Sequence, residues 1–116
     1  MLELDGDRFE ELVGDVFDSL PEEMLEGLDN VAIVIDDRPE DGSLDLLGLY
    51  HGVALTERGH YGYGDLPDVI SIYREPLLAI VDDEEELREQ VRITLVHEIG
   101  HFYGIDDEEL HNLGWG

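Results

Sequence analysis

The stretch DDEEELREQVRITLVHEIGHFYG, residues 82–104, constrains this chain more than any other. Asp82 or Asp83 can cap its start, the acidic run suits the positive end of a helix, and Gly104 supplies a left-handed stop. Leu87, Val91, Leu95, Ile99 and Phe102 fall within about 120° of helical arc, while Ile93 and Val96 cover other sides. A helix with so much apolar girth is buried, so the remainder of a 116-residue chain has to wrap it. A chain of this length buries roughly two-thirds of the surface its unfolded form exposes, enough for one core and one domain over residues 1–116.

The wrapping elements are legible in turn. Phe9, Leu12, Val13, Val16, Phe17 and Leu20 recur at helical spacing, with Asp7 and Glu10 placed as a capping pair. Pro21 opens a second short helix in PEEMLEGL, closing at Gly27 to Asn30. NVAIVID is continuous and β-branched, as expected of a buried strand. LDLLGLYHGVAL is a further extended segment in which Gly48 and Gly52 suggest a bulge or a close backbone approach. Residues 57–68 lack periodicity and read as a loop, VISIYR alternates as a third strand, and PLLAIV fits either a helical turn or a strand extension.

Charge narrows the partners. Against 31 acidic residues stand 6 basic ones, all arginine, for a formal net charge of −25. Such a field repels phosphate backbones and anionic membranes, and no basic cluster offsets it. Apolar residues still make up 42% of the chain, so the charge overlies a foldable sequence. Cysteine is absent, which leaves histidine and carboxylates as the available metal ligands. The N-terminus has no signal-peptide pattern and no run of 18 apolar residues occurs; taken as complete, the chain is expected in the cytoplasm.

The chemistry sits on the constraining helix. His97 and His101 are four residues apart, so their imidazoles leave one helical face about one turn apart and can share an ion. Glu98 points to the neighbouring side, placed to work on a water without ligating. Gly104 lets the chain turn so that Asp107 returns as a third ligand, while Asp106, with Glu109 three residues on, caps a last short helix. His-Glu-x-x-His alone arises by chance in about three of a hundred chains of this composition; requiring the glycine and the final ligand lowers this to on the order of one in a thousand. Around the motif, Tyr103 is read as packing rather than as an oxyanion donor, His111 as solvent-facing, and His60, Tyr61 and Tyr63 as residues of a loop at a cleft mouth.

HExxHxxGxxD resembles the motif of the Asp-zincin metallopeptidases. Through LLGLYHGVALTERG, LPDVISIYREPLL and VRITLVHEIGHFYGIDDEEL the chain is similar, over most of residues 44–110, to a family of minimal zincin-like metallopeptidases. The resemblance implies an α+β fold, with a small mixed β-sheet packed against an N-terminal helix and a buried active-site helix. It implies a zinc site with His97, His101 and Asp107 as metal ligands and Glu98 as general base; one Zn2+ per chain and hydrolysis of short or flexible peptides are the expectation. Zinc with three protein ligands keeps an open position for water and lowers its pKa towards about 7. The sequence departs from metzincins in having no methionine downstream of Met24, and the nine residues after Asp107 are too few for a C-terminal subdomain. Slow, poorly selective hydrolysis is the expectation. Two other readings stay open: a zinc-binding module that docks a peptide or protein at its sheet edge without turnover, and a metal-dependent ribonuclease, which the −25 charge disfavours.

Overall fold

In a computed structural model, which describes residues 1–52 and 67–115, helix α1 (Gly6–Asp18) presents Phe9, Leu12, Val13 and Val16 to the interior. Its cap is Asp5 and not Asp7. Asp5 has the extended backbone that capping needs and accepts a 2.7 Å bond from the Arg8 amide, whereas Asp7 already lies inside the first turn. Helix α2 (Glu22–Glu26) follows Pro21 directly and buries Met24 completely.

Among the described residues the sheet is mixed and three-stranded. Strand β1 (Val31–Asp36) runs parallel to β3 (Asp68–Tyr73), β2 (Gly48–His51) runs antiparallel to it, and the order is β1-β3-β2. Strand β1 is at an edge of this sheet and only half buried, with Val34 exposed. This corrects the fully buried strand expected from NVAIVID. The central place goes to β3, where Ile70, Ile72 and Tyr73 are buried. Position in a sheet is decided by pairing across the chain, which a local apolar run does not encode.

PLLAIV resolves towards helix: α3 (Arg74–Ala79) follows β3 without a break. Pro76 sits in its first turn, where a helix has no use for the missing amide proton. Helix α4 (Glu84–Tyr103) begins at Asp83, which accepts from the Glu86 amide at 2.8 Å, and ends at Gly104, whose φ of 76° is a conformation that glycine adopts without strain. Leu87, Val91, Leu95, Ile99 and Phe102 all have no exposed surface. They form the seam on which α1, α3 and the sheet converge, and burying each such side chain is worth about 1.5–3 kcal/mol. Ile93, on another side of the helix, is 45% exposed. Helix α5 (Asp107–Asn112) closes the described chain and places Leu110 in the core.

Every described arginine is paired with a carboxylate: Arg8 with Glu84 and Glu11, Arg38 with Glu75, Arg74 with Asp37, Arg88 with Asp15 and Arg92 with Glu89. The Arg8–Glu84 bond, at 2.6 Å, ties the first turn of α1 to that of α4. His60, Tyr61 and Tyr63, and the part of the second strand expected beyond Gly52, lie outside the described residues. Among the described residues no helix is long and apolar enough to cross a membrane.

Candidate metal centre

Helix α4 carries His97 and His101 in its last two turns, where the helix dipole favours a cation. Their ring centroids are 4.7 Å apart, and the side chains are 44% and 50% exposed. Glu98, between them in sequence, is different: its side chain is only 8% exposed. Strand β2 passes beside it. A Cβ on Gly48 would lie 2.6 Å from the Thr94 Cγ2, 3.0 Å from the Ser71 carbonyl oxygen and 3.6 Å from the Glu98 Cγ. Only a residue without a side chain lets the strand pass this close to the helix, so Gly48 is a close approach, one of the two alternatives its sequence context suggested.

Taking one donor atom from each, His97, Glu98 and His101 place nitrogen and oxygen atoms within 4.8 Å of one another. Glu98 Oε1 is 3.0 Å from His101 Nδ1, but the two are not aligned for a hydrogen bond, and that buried oxygen has no hydrogen-bond partner among the described residues. A buried carboxylate left this way costs free energy of the order of 1–3 kcal/mol or more. A cation with a polar ligand beside Glu98 would remove that cost, so the donor set fits a bound metal. The desolvation cost rests on Glu98 alone, since both imidazoles reach solvent.

Asp106 and Asp107 make different contacts. Asp106 caps α5, accepting from the Glu109 amide at 2.9 Å. Asp107, the first residue of that helix, turns its Oδ1 to within 3.0 Å of His97 Nδ1. It adjoins the His97–Glu98–His101 group through His97 and remains 80% exposed. Beside it opens a cavity of about 310 Å3 lined by Arg92, Ile93, Val96, His97, Asp107, Leu110 and His111, which puts His111 on the rim of the site.

Tyr103 faces away from this chemistry. Its hydroxyl donates to the Met24 carbonyl, and burial pushes its pKa above the ordinary tyrosine value. The residue that sequence reasoning passed over is Tyr50. On β2 it meets His101 edge-on, with ring centroids 6.5 Å apart, and its hydroxyl donates to Asp68 Oδ2 at 2.6 Å. Nothing local in LLGLYHG distinguishes it from any other strand tyrosine; the contact exists only because β2 lies along α4.

No curated protein sequence matches the chain. Among solved structures, it is similar to a conserved hypothetical protein from Thermus thermophilus, at 24% identity and a TM-score of 0.61, the match covering 95% of this chain and 97% of that one. At that identity the likeness shows the fold. A family model for zincin-like metallopeptidases matches residues 28–115, which take in the three described strands, the helix bearing the paired histidines and Asp107. This chain belongs to the zincin-like metallopeptidase family.

Proposed function

We propose that this protein is a zinc-dependent peptidase that cleaves short or flexible peptides, with Glu98 as general base and His97, His101 and Asp107 as the ligands of one zinc ion. The observation that carries the reading is the buried Glu98 carboxylate, whose Oε1 lacks a hydrogen-bond partner among the described residues while two half-exposed imidazoles stand beside it. Zinc bound by these residues would supply a Lewis acid that polarises the scissile carbonyl and acidifies a water.

The chain's own groups account for the rest. Glu98, shielded by the β2 backbone at Gly48, takes the proton of the attacking water and returns it to the leaving amine. Burial suits that task, because a carboxylate held out of bulk water stays aimed and is not hydrated between turnovers. The exposed sides of His97 and His101 let a peptide reach the reacting atoms. The cavity beside His97, with Ile93, Val96 and Leu110 in its lining, offers an apolar floor to one substrate side chain.

Elemental analysis tests the ligand set. Purified wild type should hold close to one zinc per chain, and His97→Ala or His101→Ala should hold none. Stoichiometric zinc in both variants would remove the basis of the reading.

A further inference from the structure

We infer that Tyr50 is a positioning residue for His101: its ring, locked by a hydrogen bond to the buried Asp68, packs edge-on against the imidazole and fixes the orientation in which His101 serves a metal. The inference rests on the reading of His101 as a ligand and extends it to a part of the sheet that the motif does not reach.

His101 needs such a support. Its side chain is half exposed, and on α4 itself it meets the His97 ring at 4.7 Å and the Glu98 carboxylate, which is not aligned to bond it. Tyr50 supplies a contact from a different element. The Tyr50 and His101 ring planes stand at 62° with centroids 6.5 Å apart, inside the range of favourable edge-to-face pairs. The Tyr50 ring also stands nearly perpendicular to that of Phe102, at 86° and 6.4 Å, and Phe102 has no exposed surface. The tyrosine therefore leans on a fixed wall.

Its other end is held as firmly. Tyr50 lies opposite Ile70 in the antiparallel ladder, so Asp68 is its diagonal neighbour on the same sheet face. The Tyr50 hydroxyl donates to Asp68 Oδ2 at 2.6 Å. Asp68 is only 6% exposed, and a Cβ on Gly52 would come within 2.5 to 2.9 Å of its side chain. An apolar residue could fill this place without the cost of burying a carboxylate. Holding the Tyr50 hydroxyl, and through it the ring, is a task that an apolar residue could not perform.

The test measures zinc affinity by chelator competition, together with the visible spectrum of the Co2+-loaded protein, in wild type, Tyr50→Leu, Tyr50→Phe and Asp68→Ala. Loss of a group that orients a ligand weakens metal binding roughly 10- to 100-fold. Tyr50→Leu should therefore bind zinc at least about tenfold more weakly and alter the Co2+ spectrum, which reports ligand geometry and not fold stability. Tyr50→Phe and Asp68→Ala each remove the bond that locks the ring while keeping the ring itself, so both should fall between wild type and Tyr50→Leu. Wild-type affinity and spectrum in Tyr50→Leu would overturn the inference and leave the zinc site standing. Should Tyr50→Leu not fold, wild-type affinity in Asp68→Ala would overturn it instead. A wild type that binds no metal would overturn both the inference and the proposed site.

Discussion

Asp107 Oδ1 lies 3.0 Å from His97 Nδ1, so the first turn of α5 reaches back across Gly104 to the helix that carries the paired histidines. The neighbouring Asp106 is turned the other way, into its own helix cap. The two adjacent aspartates should therefore separate on substitution. Asp107→Ala should weaken zinc binding with little change in metal-free stability, and Asp106→Ala should cost about 1 kcal/mol of stability with zinc retained. Chelator competition and urea unfolding of the two variants measure this, and the opposite pattern would mean that their roles are exchanged.

Gly48→Ala should damage both fold and site. The added methyl would meet the Thr94 methyl at 2.6 Å and the Ser71 carbonyl oxygen at 3.0 Å, neither of them the loose end of a long side chain. Separating β2 from α4 to relieve the contact should cost about 1–3 kcal/mol and let water reach Glu98. Thermal unfolding and peptide cleavage should fall together. A Gly48→Ala variant as stable and active as wild type would show that the strand does not shield the carboxylate.

Tyr103→Phe should reveal a structural residue. Removing the hydroxyl leaves the Met24 carbonyl without that donor and should lower stability by about 1 kcal/mol, while turnover at full zinc stays unchanged. A large loss of turnover without a loss of stability would assign Tyr103 to the chemistry after all.

The charge of −25 should set the order of substrates. Basic peptides should be cleaved with higher kcat/KM than matched acidic ones, and added salt should shrink the difference, because the attraction is screened over roughly 8 Å at physiological ionic strength. Matched basic, neutral and acidic peptides at two salt concentrations provide the comparison. A preference that salt leaves untouched would place its origin in direct contacts.

Much of the site was legible because helical spacing is a local rule. The four-residue step from His97 to His101, the stop at Gly104 and the cap at Asp106 follow from backbone geometry that neighbouring residues dictate. The five-residue seam from Leu87 to Phe102 was legible for the same reason. What escaped depends on pairing across the chain. That β1 is an edge strand and β3 the central one follows from the order β1-β3-β2, which no segment contains. Tyr50 reaches His101 across 51 positions (101 − 50), and Asp68 reaches Tyr50 by a diagonal step in a ladder whose register the sequence did not reveal. The cap of α1 was missed by two residues because Asp5 and Asp7 have the same chemistry, and only the backbone angles distinguish them.

The most direct test of the proposed function compares cleavage of a mixed peptide library by zinc-loaded wild type and Glu98→Gln, with zinc content measured on the same samples. Glutamine keeps the size of the buried side chain and removes its basicity, so zinc should remain near one per chain while cleavage falls by about 100-fold or more. Undiminished cleavage by Glu98→Gln at full zinc would contradict Glu98 as the base, and a fully zinc-loaded wild type that cleaves nothing would contradict the peptidase assignment itself.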